Sequence, residues 1–182
     1  MKKIIRITAL FLMCTCMGHA WADVPKYGFT PNNLYPLWNN INIVIEKIAL
    51  LYPPEVQTEF SKIEVEMYAG KSPSDVLMNA NNFVKIFNTF LFEHNMPSIN
   101  LYDFDMLNRA EITPSEVYIY SGEVLDKAVK ALLDIENKYK VQEFYKIIHV
   151  MNKAPSDVYG LTELAKNRMN LLLQSALITK VP

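Results

Sequence analysis

The sequence predicts an all-α protein made of tandem helix-pair repeats of about 41 residues, stacked into a short solenoid or a compact bundle. Three observations predict it. The tetrapeptide Pro-Ser-(Asp/Glu)-Val occurs at Pro73, Pro114 and Pro155, 41 residues apart each time. A looser copy, Thr30-Pro31-Asn32-Asn33-Leu34-Tyr35, stands 42 residues before Pro73. A fixed period of this size is the mark of a tandem repeat. Each copy also carries the chemistry of a helix start, and each is followed by an apolar stripe at helical spacing.

The starts come first. In Ser72-Pro73-Ser74-Asp75 and Thr113-Pro114-Ser115-Glu116, the hydroxyl can accept from the free N–H groups of the first turn. Proline at the next position loses no hydrogen bond there, and its φ already suits a helix. The carboxylate three residues after the cap can reach back to the cap N–H and sits at the positive end of the helix dipole. Phe29 with Leu34, and Ile112 with Val117, have the spacing of a hydrophobic staple. Lys71 and Lys153 offer none. The last copy has Ala154 at the cap, which predicts a weaker start.

The stripes follow. At 4, 11, 15 and 18 residues after the cap stand Leu34, Ile41, Ile45 and Ile48, then Val76, Phe83, Phe87 and Phe90. The third copy gives Val117, Val124, Ala128 and Ala131, and the last gives Val158, Ala165, Met169 and Leu172. Steps of seven, four and three lie on one helix face, so each repeat opens with a helix of roughly 20 residues, about 30 Å long. The second halves read as helices too: Glu55 to Tyr68 through Val56, Phe60, Ile63 and Met67; Ser98 to Arg109 through Leu101, Tyr102 and Met106; Glu136 to Met151 through Tyr139, Phe144, Ile147 and Ile148. Pro53-Pro54 and Met96-Pro97 separate the halves, since proline cannot continue a helix. The expectation is seven helices, three pairs and a closing single one.

Residues 1–22 read as a signal peptide. Lys2, Lys3 and Arg6 precede an apolar stretch from Ile7 to Met17, and Ala20-Trp21-Ala22 fits cleavage before Asp23. The stretch is too short for a stable membrane span. Neither Cys14 nor Cys16 stands in a lipidation box, and both leave with this segment. Residues 23–182 then form a single domain without cysteine, so a disulfide, a thiol nucleophile and a thiolate metal site are excluded there. About 160 residues suffice for one core, burying roughly 70% of the unfolded surface. They hold 15 basic against 19 acidic side chains, a net charge of −4, which argues against nucleic acid or an anionic membrane as partner. The expected location is periplasmic or secreted, after bacterial Sec-type export.

Catalytic motifs are missing. The sequence has no nucleophile elbow, Walker loop or His-Glu-x-x-His. His94, in His94-Asn95-Met96, gives two soft ligands at most and reads as a helix C-terminus; His149 reads as a half-buried packing histidine on a second-half helix. Glu64 with Glu66, and Asp103 with Asp105, are two apart and face different ways on a helix. The expectation is no metal, no cofactor and no enzyme.

Tyrosine recurs five residues after the cap, as Tyr35, Tyr118 and Tyr159, with Leu77 in the second copy. This column is either a partner-binding surface, for which tyrosine is suited, or packing between adjacent repeats. The functional expectation is a non-enzymatic binding or scaffold module for a protein or peptide partner. The alternative is a small-ligand carrier or sensor with an apolar pocket lined by Phe83, Phe87, Phe90 and Tyr120.

Overall fold

The computed structural model describes residues 28–99 and 112–179. Its elements are α1 (Pro31–Ala49), α2 (Pro54–Ser61), α3 (Pro73–Glu93), α4 (Pro114–Ile135), a 3-10 turn (Val141–Phe144) and α5 (Pro155–Thr179). Among the described residues there is no strand, and the protein is all-α.

The four long helices begin at the four prolines that the cap chemistry marked. Ser72 Oγ accepts from the Asp75 N–H at 3.2 Å while Asp75 accepts from the Ser72 N–H at 2.8 Å. Thr113 and Glu116 make the same exchange at 3.3 and 2.7 Å. At α1 an amide replaces the carboxylate, and Asn33 accepts from the Thr30 N–H at 2.9 Å. Ala154 has no hydroxyl, so α5 keeps half of the arrangement: Asp157 accepts from the Ala154 N–H at 2.7 Å. Hydrogen bonds from Ser72 hold the Asp75 carboxyl below its ordinary pKa.

All sixteen stripe residues are buried, none more than 4% exposed. They share the core at matching depths. The Phe83, Phe87 and Phe90 rings of α3 run in a stacked column with centroids 5.6 and 5.7 Å apart. At the same distances from its cap α4 carries the smaller Val124, Ala128 and Ala131, which are also buried. Trp38 meets Phe83 edge-on at 5.6 Å.

The long helices are parallel. Pro31, Pro73, Pro114 and Pro155 line one small crevice together with Leu34, Val76, Val117 and Val158, so all four N-termini lie at the same end. Pairs along the helices agree. Trp38 Nε1 donates to Ser121 Oγ at 2.9 Å, and both stand eight residues after their caps. Asn79 Nδ2 donates to Thr162 Oγ1 at 2.6 Å, and Arg168 bonds Glu46 at 2.9 Å. Helix α1 packs on α4 and α5, and α3 packs on α5 and α4. The contact between the first and last long helices closes the four into a bundle, where an open solenoid would keep them apart. Parallel dipoles gather positive ends at one face, and Asp75, Glu116 and Asp157 in the first turns offset that charge.

The second halves correct the expectation of seven helices. Of Glu55 to Tyr68 only Pro54–Ser61 is helical. Of Glu136 to Met151 only the four residues Val141–Phe144 are helical, as a 3-10 turn. Most of Ser98 to Arg109 lies outside the described residues. Two physical reasons apply. Ile63-Glu64-Val65-Glu66-Met67 alternates with period two, and Ile147-Ile148-His149-Val150 is rich in β-branched residues; both patterns suit an extended chain better than a helix. A parallel bundle also needs each connection to regain the full helix length, and about ten extended residues, at roughly 3.3 Å each, span 30 Å.

Candidate functional site

The tyrosine column sits at the capped end of the bundle, one tyrosine each on α1, α4 and α5, and each is covered by the residue that precedes the cap of a neighbouring long helix. Phe29 stacks on Tyr118 at 3.7 Å between centroids. Lys71 Nζ lies 4.3 Å from the Tyr159 ring centroid, and Tyr68 meets that ring edge-on at 4.9 Å. Lys153 Nζ lies 4.3 Å from the Tyr35 ring. The backbone joins at the same seams. The Phe29 N–H donates to Ser115 Oγ at 3.4 Å, Lys71 N–H to Ser156 Oγ at 3.0 Å and Lys153 N–H to Asn32 Oδ1 at 2.8 Å. The acceptors all stand two residues after their caps. Thus Tyr35, Tyr118 and Tyr159 are half-buried at inter-helix seams, around the bundle and not in one row. Lysine before the cap, which offers no staple within its own helix, supplies a cation over a ring, worth about 0.5–1 kcal/mol at such exposed positions.

Phe83, Phe87, Phe90 and Tyr120 are part of the packed core, none more than 2% exposed. Burial raises the Tyr120 pKa well above its ordinary value, with the Glu123 charge adding to it. His94 ends α3, its Nδ1 2.8 Å from the Phe90 carbonyl oxygen. His149 is exposed on an extended segment, and so is neither helical nor a packing residue. Glu64 and Glu66 are likewise on extended chain, where residues two apart share a side; both are exposed, and Tyr68 Oη donates to Glu66 at 2.7 Å. That bond, with burial, pushes the Tyr68 pKa up to about 12. Asp103 and Asp105 lie outside the described residues. Among the described residues no three His, Cys, Asp or Glu side chains gather to hold a metal ion.

A different place has the shape of a site. The connection from α4 to α5 runs over α1, and its residues 145–150 stand off from that helix. Between them lies a groove of about 380 Å³, floored by Asn32, Asn33, Pro36, Leu37 and Asn40 and walled by Tyr118 and Leu125 of α4. Three bonds hold the connection in place. Tyr145 Oη donates to Asp126 at 2.6 Å. Asn40 Nδ2 donates to the Lys146 carbonyl at 3.1 Å. The Lys153 N–H binds Asn32, as above. Between these anchors, among the described residues, no hydrogen bond engages the backbone of residues 147–152. The Lys146 bond fixes which way the Asn40 amide points, so its Oδ1 is an acceptor. That oxygen is buried and has no partner among the described residues. Ile147 and Met151 on the same segment are 84% and 79% exposed.

The arrangement offers a trough lined by both amide and apolar side chains beside an open main-chain edge, which together can hold an extended chain by main-chain hydrogen bonds and side-chain pockets. Sequence reading missed it. The signal that marks it is Asn40 within an apolar stripe, together with Pro36 inside α1. Comparison with protein-family models, with curated proteins and with solved structures gives no match.

Proposed function

We propose that this chain is an exported, non-enzymatic binding or scaffold protein that engages a protein or peptide partner in extended form along the α1 groove. The observation that carries the reading is the unpaired segment 147–151, which ends at a bend at Asn152, with Ile147 and Met151 exposed beside the groove. Export to the periplasm or the outside rests on the basic, apolar and Ala-x-Ala order of residues 1–22. We read the architecture as four tandem copies of one unit, a capped helix and its extended return, closed into a parallel ring. The 41-residue spacing and the seam contacts at equal distances from each cap support it. Within this reading Tyr118 serves the partner, because it lines the groove, while Tyr35 and Tyr159 serve the seams.

The test compares capture of envelope proteins by the parent and by an Ile147→Lys/Met151→Lys variant with an unchanged circular-dichroism melt. Cross-links mapping to residues 145–151, and loss of the captured partner in the variant, are expected. Equal capture by both would refute the groove. Before that, N-terminal sequencing of the exported protein is expected to begin at Asp23; retention of Met1 would overturn the export reading.

A further inference from the structure

Residues 147–151 have a counterpart on the same molecule. After α2 the chain runs without helix to a bend at Gly70, φ 70°, and among the described residues no hydrogen bond engages the backbone of residues 64–69. Val65 and Met67 on that segment are 52% and 99% exposed. Both segments are therefore open edges that carry exposed apolar side chains, Met67 on one and Ile147 and Met151 on the other, the kind of surface that templates strand pairing.

They differ in charge. The connection from Leu50 to Ser72 holds four glutamates against two lysines, and Glu64 and Glu66 flank its exposed Val65. The connection from Glu136 to Ala154 holds four lysines against two glutamates, and Lys146 adjoins its exposed Ile147. Pairing two acidic edges, or two basic ones, sets like charges opposite each other, which destabilises a sheet pair. An acidic edge on a basic one does the reverse. The two edges cross different helices of one rigid bundle, α5 and α1, so a chain cannot pair them with each other.

We infer that the occupant of the edge beside Lys146 is a second copy of this chain, which docks its segment 64–69, with Glu64 and Glu66, against residues 147–151 as an added strand. The inference rests on reading the α1 groove and its edge as the partner site, and it names the partner. Because the two edges are different surfaces, the contact is head-to-tail. Repeated, it closes into a ring or continues as a filament.

Sedimentation of the purified protein tests it, up to about 1 mM, where even a weak specific contact is half populated. Mass is expected to rise with concentration and to fall back with added salt. Glu64→Lys/Glu66→Lys and Lys146→Glu/His149→Glu should each weaken self-association at least about 10-fold, since each sets like charges across the contact. All four side chains are exposed, so the melts should not change. An equimolar mixture of the two variants restores opposite charges across every contact and should assemble where neither variant does alone. A parent that stays monomeric throughout, or a mixture that behaves as the sum of its parts, would overturn the inference. Retained capture of another envelope protein at residues 145–151 would in that case leave the binding reading standing.

Discussion

Two of the long helices are crossed by an extended connection, and the crossings end differently. Over α5 the chain lies close: a Cβ at Gly160 would come within 2.8 Å of the Glu66 carbonyl oxygen and 3.3 Å of Val65 Cγ2. Over α1 it stands off and leaves the groove. Gly160 and Pro36 occupy the same place, six residues after their caps. One crossing has no side chain at the contact and seals; the other has a ring and a neighbouring Asn40, and opens. The two crossings thus differ in bulk at one matching position, and the open seam is the one that leaves a groove.

The largest expected effect breaks the closed crossing. Gly160→Val drives two methyl groups into a backbone carbonyl that cannot rotate away, and should cost about 3 kcal/mol as overpacking. A denaturation midpoint equal to the parent's would show that the connection is not held there. The open crossing should respond in the opposite sense. Pro36 lies inside α1, where it removes one helix hydrogen bond. Pro36→Ala should stabilise by about 2 kcal/mol if the proline is retained for the groove and not for the fold. Loss of stability in that variant would argue for a packing role.

The tyrosines sharpen the contrast. Tyr159→Ala, beneath Lys71 and Tyr68 at the sealed side, should lose about 2 kcal/mol of stability, less than a fully buried aromatic. Tyr118→Ala at the groove should lose less, and should weaken partner binding by about 1–2 kcal/mol. Equal melts for the two variants would remove the distinction. The smallest effect is at the caps. The folded-state pKa of Asp75 is lowered, so its contribution is present above the ordinary carboxylate value and is lost as the pH falls through the folded one. Asp75→Ala should therefore cost about 0.5 kcal/mol at pH 7, discounted for exposure. The gap to the parent should narrow below about pH 4. Asn33 does the same work without a charge, so Asn33→Ala should show no such narrowing between pH 7 and pH 3.

The sequence alone determined the long helices, their starting residues and the faces they bury. These depend on interactions within one turn or on a periodicity of one segment: Thr113 with Glu116, or Phe83, Phe87 and Phe90 in a row. Local chemistry settles such features because the partners are at most a few residues apart. The connections were misread. Val56, Phe60, Ile63 and Met67 match a helical spacing, yet the same stretch alternates with period two, and sequence offers no way to rank the two patterns. The direction of the bundle ranks them, since parallel helices require connections that cover their whole length. The tertiary structure alone also decided that Lys71 and Lys153 cover tyrosines of neighbouring helices, 88 residues onward and 118 back along the chain. The groove belongs to the same class. It exists because Pro36, Asn40, Tyr118 and Ile147 meet across three segments, and the space between side chains is a property of their packing, which no single stretch of the chain contains.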